Sequence, residues 1–247
     1  MGARMRIPVL AYHNVDHAPV GALLRKLYVT PTQFERQMWT LRRCGFRALS
    51  MSQGLPHLAD EQPSKCVILT FDDGYLDNLR EAAPILKKYG FSATCYVVSG
   101  RIGEHNRWDC DELNVKKPLM NRQQLDEWLA CGMEIGSHTV SHPRLDQIEP
   151  AAAEQEIAQS RIALSGLFGV EIAHFCYPYG RFNAENVKAV HRAGYRSAVA
   201  TSRGFARPGD DMFQLPRVSI HGDNGYMKFL LKVLTCYEDQ RHRRSAP

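Results

Sequence analysis

The stretch YGFSATCYVV, residues 89–98, contains the unit from which the fold is built. A helical segment ends at Gly90, and an apolar run follows it directly. Glycine suits such a junction because it adopts the left-handed conformation of a helix end at little cost. The same succession occurs at CGFRALS (44–50), CGMEIGSH (131–138), FGVEIAHFCYP (168–178) and AGYRSAVAT (193–201). Each occurrence indicates a helix that runs into a strand.

This repeat predicts strands and helices in alternation along the whole chain. We expect about eight short strands, at 7–12, 46–51, 67–71, 93–98, 133–137, 172–177, 195–201 and 214–220. Helices are expected at 77–89, 121–131, 150–168 and 183–193, with a further one that Thr30 caps and Pro31 begins. Such alternation predicts one α/β domain over residues 1–247, most simply a closed or nearly closed (β/α) barrel, with a doubly wound open sheet as the alternative.

Composition narrows the class of protein. Lys and Arg exceed Asp and Glu by 31 to 26, a surplus too small to indicate a nucleic-acid partner. No apolar run is long enough for a transmembrane segment, and residues 1–10 lack the pattern of a signal peptide, so a cytoplasmic location is expected. The seven cysteines are odd in number and contain no C-x-x-C pair, which predicts reduced thiols.

Two adjacent carboxylates follow the most apolar strand, in Thr70-Phe71-Asp72-Asp73-Gly74. In a barrel, catalytic residues lie where strands end. Neighbouring side chains on extended backbone point apart, so one carboxylate could bind a metal while the other acts as a base. The alternative is a simple Asp-Asp-Gly turn, with Asp77 capping the next helix.

His138 and His142 are spaced i, i+4, which predicts two imidazoles on one side of a helical turn, suited to a shared metal. His13 and His17 have the same spacing, but the later pair directly follows an apolar strand. Two histidines and one carboxylate leave an open position, as catalytic zinc sites do. Zinc lowers the pKa of a bound water to about 7 and polarises a carbonyl, which favours hydrolysis of an amide or ester.

A tight turn, Tyr177-Pro178-Tyr179-Gly180, ends a later strand. Such a turn can direct a backbone N–H at a developing oxyanion. The alternative is an ordinary loop turn. Together, the Asp-Asp-Gly motif, the segment HTVSH (138–142) and this turn resemble the polysaccharide deacetylase family, the NodB-homology domain of carbohydrate esterase family four. The likeness runs from PVLAYH (8–13) through Trp108-Asp109 to LPR (215–217), and it looks closest to the branch of poly-N-acetylglucosamine deacetylases.

The resemblance implies a distorted or incomplete barrel of about seven or eight parallel strands and removal of acetyl groups from an N-acetylated sugar, oligosaccharide or glycolipid. It implies Zn²⁺, or another divalent metal such as Co²⁺ or Ni²⁺, as the cofactor. The implied roles are a general base at Asp72, metal ligands at Asp73, His138 and His142, and an oxyanion donor at the Tyr179 N–H.

Three positions depart from the family pattern. Cys176 stands where the family has an arginine, and Arg217 is our candidate to replace it beside Asp72 and to bind substrate. The Asp and Trp motif that supports the catalytic acid is not recognisable in 198–211. Ser219 replaces the leucine of the last motif, which leaves His221 as the expected acid and His13 as its rival.

Segments outside the motifs carry further expectations. The long loop 101–120 follows a strand and is expected to cover the active site, with Trp108 either stacking on a sugar ring or anchoring the loop. A final amphipathic helix at 225–237 is expected to bury the stripe Met227, Leu230, Leu231 and Leu234, with peripheral membrane contact as the alternative, and 238–247 is expected to form a basic tail.

Three functions therefore stay open from the sequence. The first is a metal-dependent carbohydrate N-deacetylase. The second is an O-acetyl esterase, or an amidase on a non-sugar substrate, with the same metal centre. The third is a carbohydrate-binding pseudoenzyme, suggested by the missing arginine at Cys176.

Overall fold

The computed structural model describes residues 6–60 and 65–245, with side chains up to residue 241. Its strands are β1 (Val9–Tyr12), β2 (Asn14–Val15), β3 (Tyr28–Val29), β4 (Arg47–Leu49), β5 (Cys66–Phe71), β6 (Thr94–Val97), β7 (Glu134–Ser137), β8 (His174–Cys176), β9 (Ser197–Arg203) and β10 (Leu215–Ser219). Eight of them form one sheet, and β2 pairs separately with β3. All eight strands expected from the sequence are present.

The sheet closes into a barrel of seven parallel strands. Their order is β1-β10-β9-β8-β7-β6-β5, and β1 pairs with β5 to complete the ring. The eighth strand, β4, pairs with the first half of β5, from Cys66 to Ile68, whereas β6 pairs with its last residues, Thr70 and Phe71. The expectation of a distorted (β/α) barrel is confirmed, and the open-sheet alternative is wrong because β1 and β5 pair along four residues.

The helices are α1 (Pro31–Arg43), α2 (Met51–Gly54), α3 (Ala83–Tyr89), α4 (Cys110–Leu113), α5 (Arg122–Ala130), α6 (Pro150–Phe168), α7 (Ala184–Arg192), α8 (Tyr226–Leu234) and α9 (Tyr237–Ser245). A π-type turn, Asn78–Ala82, leads into α3. The Thr30 hydroxyl accepts a hydrogen bond from the Gln33 N–H and caps α1, as its sequence predicts. The short helices α2 and α4 were not expected from the sequence, since neither is long enough to show a period.

Aromatic packing fixes the strand that carries the acidic pair. The Phe71 ring, fully buried at the end of β5, lies 5.5 Å from the Tyr12 ring and 5.9 Å from the Trp128 indole, between centroids. Such contacts add about 0.5–1.5 kcal/mol each beyond burial of area. The strand end next to Asp72 therefore has little freedom to move.

The carboxyl-terminal segment differs from expectation in two ways. In α8 the buried side chains are Phe229, Val233 and Lys232, whereas three of the four residues of the expected stripe, Met227, Leu231 and Leu234, are exposed, so that prediction is wrong. The expected basic tail begins instead as helix α9. Its buried Glu238 and Asp239 turn toward the barrel, where Asp239 pairs with Arg6 and Arg207. Residues 246–247 lie outside the described part.

Two expectations about the cysteines and the membrane can be checked directly. No disulfide joins any two of the seven cysteines. Within residues 6–60 and 65–245, none of the helices combines the length and the apolar character that crossing a bilayer requires.

A glycine inside β7 provides a test of barrel packing. A Cβ on Gly136 would overlap the buried Tyr96 ring and lie 3.0 Å from the His174 carbonyl oxygen. We expect Gly136→Ala to lower the free energy of unfolding by about 1–3 kcal/mol, because neither neighbour can move freely. Gly166→Ala is the matched control, since Gly166 lies in α6 with open space around it and alanine should add about 0.5–1 kcal/mol there. Urea unfolding measures both, and an unchanged midpoint for Gly136→Ala would contradict the packing described.

Candidate active site

The carboxyl ends of the barrel strands surround one cavity of about 390 Å³. Its lining includes the acidic residues Asp72, Asp73, Asp109 and Glu112, the imidazoles of His13, His138, His142 and His221, the basic residues Lys26 and Arg144, and Tyr179. Each expected catalytic and metal-binding residue therefore lies at this cavity. Trp108 and Arg217 are not part of the lining.

Three side chains converge on one point at the bottom of the cavity. Oδ1 of Asp73 lies 3.5 Å from Nε2 of His138 and 3.3 Å from Nε2 of His142. All three residues are buried. Burial alone would raise the pKa of Asp73, but hydrogen bonds from the two imidazoles hold it well below its ordinary range, so this carboxylate is anionic.

The backbone brings the two histidines together in a different way from the helical turn that their spacing predicts. Residues 138–142 form an irregular loop in which Thr139 has φ 68° and His142 has φ 66°. Asp73 and Tyr179 are also left-handed, at φ 76° and 57°. Four of the five non-glycine residues with positive φ in the described chain thus belong to this site or adjoin it. Such conformations cost about 1–3 kcal/mol each, and they persist where function requires them.

Supporting contacts orient the histidines. Nδ1 of His138 lies 2.7 Å from the Cys176 carbonyl oxygen, to which it donates, and this bond leaves Nε2 available for a metal. The Glu156 carboxylate accepts hydrogen bonds from the N–H groups of Val140 and Ser141 at 2.8 Å each and holds the loop between the histidines. Glu156 could not be recognised from sequence because it lies within α6, far from any motif.

These donors fit a divalent metal. Two imidazole nitrogens and one carboxylate oxygen are a donor set that zinc, cobalt and nickel accept, and three protein ligands leave a position open for a substrate. The His138 ring is oriented by its Nδ1 bond to the Cys176 carbonyl, and Asp73 is anionic, and both features suit such an ion.

Arg217 holds the second carboxylate of the pair. Its guanidinium donates two hydrogen bonds to Asp72, at 2.7 Å to Oδ1 and 2.8 Å to Oδ2, and its Nε–H donates to the Ala200 carbonyl. Burial alone would raise the pKa of Asp72, but the charge and hydrogen bonds of Arg217 lower it below its ordinary value. Only 1% of Arg217 is exposed and the residue is not part of the cavity lining, so in this structure it contacts Asp72 rather than the space open to a substrate. It lies beside Cys176, 3.3 Å from Nη2 to Sγ, as expected of the missing arginine's substitute.

The Tyr177-Pro178-Tyr179-Gly180 turn presents its backbone to the cavity. The N–H groups of Gly180 and Arg181 close the turn by donating to the carbonyl oxygens of Tyr177 and Pro178. Gly180 is required because a Cβ there would overlap the Thr201 side chain. The Tyr179 ring stacks edge-on against the His142 imidazole, at 4.6 Å between centroids.

The two candidate proton donors lie on the same side of the cavity. Nε2 of His13 is 3.9 Å from Oδ2 of Asp72. Burial and the neighbouring charge of Lys232 lower the pKa of His221 to about 4, so this imidazole is neutral at pH 7.

Loop 101–120 covers one side of the site. The Trp108 indole stacks on the His142 ring, at 4.6 Å between centroids. This contact is the one expected if Trp108 anchors the loop. Stacking on a sugar finds no support, because the indole lies outside the cavity lining. The Lys117 ammonium ties the loop to the barrel through Asp16 at 2.7 Å and Asp77 at 2.8 Å. Asp109, which the sequence analysis did not single out, lines the cavity from this loop.

A parallel barrel with carboxylates and imidazoles gathered at its strand ends has the architecture of a barrel hydrolase. The family described as polysaccharide deacetylase matches residues 59–198, and the chain belongs to that family. The Bacillus subtilis (strain 168) protein YxkH is 33% identical over 217 residues, which cover 87% of this chain and 71% of that one.

Two further relatives extend the comparison. The poly-β-1,6-N-acetyl-D-glucosamine N-deacetylase of Staphylococcus aureus (strain MSSA476) is 24% identical over 210 residues, covering 81% of this chain and 70% of that one. The structure of the Streptococcus pyogenes deacetylase PplD in complex with acetate superposes with a TM-score of 0.79 at 27% identity, covering 94% of this chain and 99% of that one. Deacetylation of a carbohydrate is thus the activity of the family to which the chain belongs.

Proposed function

We propose that this protein removes N-acetyl groups from a carbohydrate or glycoconjugate that contains N-acetylhexosamine, with a divalent metal held by Asp73, His138 and His142. The observation that carries the proposal is the convergence of Oδ1 of Asp73 with both Nε2 atoms beside an arginine-held carboxylate. The S. aureus relative, by its name an N-deacetylase of poly-N-acetylglucosamine, supports the choice of an N-acetyl bond. Zinc suits the donor set, and Co²⁺ or Ni²⁺ would also fit.

Each residue of the site has a separate role in the proposed reaction. The metal, when bound, supplies Lewis acidity toward the acetyl carbonyl and toward water. Asp72, anionic and held by Arg217, accepts a proton from the attacking water. The Tyr179 N–H donates a hydrogen bond to the oxygen that gains negative charge. The proton that Asp72 accepts then returns to the departing amine through His13 or His221. The His221 imidazole, neutral at pH 7, must take up that proton before it can donate one, and acetate and a free amino sugar result.

Asp72→Asn tests the proposed base. We expect kcat to fall by a factor on the order of 10² or more, because the amide accepts no proton. The bound zinc should stay near one per chain, since Asp72 is not among the three proposed ligands. Acetate release and zinc content, measured on the same preparation, give both numbers. Asp146→Asn is the control, because Asp146 also accepts a bidentate bond from an arginine, Arg181, but lies away from the cavity. Unchanged turnover in Asp72→Asn would remove it from the role of base.

A substrate panel separates the functions left open by the sequence. The metal-loaded protein is given oligomers of β-1,6-linked and β-1,4-linked N-acetylglucosamine and an O-acetylated sugar, and released acetate is measured. Release from the N-acetylated oligomers alone supports the proposal. Release only from the O-acetylated sugar would identify an esterase, and sugar binding without release would identify a pseudoenzyme.

A further inference from the structure

One carboxylate at the cavity has no cationic partner. Asp72 pairs with Arg217, Asp73 contacts the two histidines, and Glu112 lies 3.9 Å from Arg144. Asp109 forms no ion pair with any residue that the structure describes, although it lines the same cavity. An anionic group that is partly buried without a cation is unfavourable unless a ligand compensates it.

Hydrogen bonds made by Asn106 fix the position of the Asp109 side chain. Asn106, of which only 1% is exposed, donates from Nδ2 to Oδ1 of Asp109 at 2.7 Å and to the Val115 carbonyl at 3.0 Å. Its Oδ1 accepts from the Lys117 N–H at 2.7 Å, and the Lys117 ammonium is tied to the barrel. These contacts therefore hold the loop, and with it the Asp109 side chain, in one position.

The carboxylate keeps acceptor capacity toward the cavity. An ionised carboxylate offers about four acceptor positions, and the side chains of Asn106 and Trp108 use at most two of them. Burial first, and then the charge of Asp73, raise the pKa of Asp109 to about 7. A ligand that donates a hydrogen bond would relieve this penalty.

We propose that Asp109 accepts a hydrogen bond from a hydroxyl of the sugar whose acetamido group reacts, and that this contact selects the substrate. The inference deepens the proposed deacetylase function and rests on it. Sugar hydroxyls next to the acetamido group are the donors that a deacetylation substrate brings with it.

Two substitutions distinguish the loss of the Asp109–substrate contact from a change in the structure of the loop. Asp109→Asn keeps an oxygen for the Asn106 bond but loses the charge that Asp109 carries above its pKa of about 7. In assays at about pH 8.5 we therefore expect KM to rise about 10-fold with kcat changed by less than about threefold, since hydrogen bonds to charged groups are the stronger ones. Asp109→Ala, which loses the Asn106 bond as well, should raise KM at least as much. Asp111→Asn is the control, because Asp111 is an exposed acid of the same loop that does not line the cavity, and it should change KM less than about twofold. An unchanged KM in Asp109→Asn overturns the proposal.

Deoxy substrates identify the hydroxyl. The trimer of β-1,6-linked N-acetylglucosamine is compared with versions that lack the 3-hydroxyl or the 4-hydroxyl on the reacting unit. One deoxy compound should raise the wild-type KM about 10-fold and cause no further rise in Asp109→Asn, because the interaction is already lost. Losses that simply multiply for both compounds overturn the proposal.

A direct binding measurement tests the Asp109 contact even if the proposed deacetylase function fails. If the wild type releases no acetate, calorimetry with the same trimer replaces kinetics. A Kd about 10-fold weaker for Asp109→Asn supports the contact even though deacetylation has failed. Equal affinities, or no binding by the wild type, overturn it.

Discussion

Replacing Arg217 by methionine should lower the free energy of unfolding by about 3–5 kcal/mol, the range found when one partner of a buried ion pair is removed. Arg217 is 1% exposed and Asp72 4%, so water cannot take over the two hydrogen bonds that the guanidinium donates. The Asp72 carboxylate would be left in the core without a cation. Turnover should fall as well, because the proposed base would lose its orientation and its negative charge at neutral pH.

The sign of the pH dependence follows from the pKa of Asp72. In the native protein Arg217 lowers that pKa below its ordinary value, despite burial, which raises it. A carboxyl with a lowered folded-state pKa contributes stability above its unfolded pKa of about 4, and this contribution is lost as the pH falls through the folded pKa. Arg217→Met should therefore be most destabilising at pH 7 and least at low pH, where Asp72 is neutral.

Two variants separate this pair from arginine–aspartate pairs in general. Arg181→Met removes an equally well-formed bidentate pair with Asp146, but at an exposed position, where we expect at most about 1 kcal/mol. Adding Cys176→Arg to Arg217→Met places a guanidinium on β8, next to the space that Arg217 occupies, and should recover part of both stability and turnover. Equal losses for Arg181→Met and Arg217→Met in urea unfolding would contradict the assigned role.

The barrel could be predicted from the sequence because its signals are local. Gly90 and Gly169 end helices in the left-handed conformation, and each is followed by an apolar strand, so a short window contains the whole junction. The acidic pair and HTVSH are equally local. Closure of the ring was not local, since it depends on β1 pairing with β5, about 60 residues later.

The site was predicted less completely because its remaining parts depend on tertiary contacts. Arg217 and Asp72 are separated by 145 positions, and their pairing was expected only because Cys176 leaves the family's arginine position empty, not from any local pattern. Asp109 lies in a loop without period, and only the folded chain shows that Asn106 aims it at the cavity. The spacing of His138 and His142 suggested a helix because left-handed residues such as Thr139 leave no mark in sequence periodicity.

Alanine at Asp73, His138 or His142 should abolish both zinc uptake and acetate release in each single variant. Loss of a residue that only supports a ligand costs about 10–100-fold in metal affinity, so loss of one of three ligands should cost more. Zinc content by atomic absorption after dialysis is the direct measurement. His221→Ala is the matched control, since this imidazole lines the same cavity outside the proposed triad and should leave the zinc content unchanged.

The change in stability on adding zinc distinguishes a metal site from a histidine cluster that only supports the fold. His142 is buried with a positive φ of 66°, and its Nδ1 forms no hydrogen bond with any described residue. Both features are unfavourable in the absence of a ligand. His142→Gly relieves the strained backbone and removes the unpaired nitrogen, but it also loses the ring contacts with Trp108 and Tyr179, so the informative quantity is the response of each protein to zinc. Zinc should then stabilise the wild type and not the variant, because only a protein that binds the ion gains from it. Full zinc occupancy in all three alanine variants, or equal stabilisation of the wild type and His142→Gly by zinc, would show that these residues serve the fold rather than a metal.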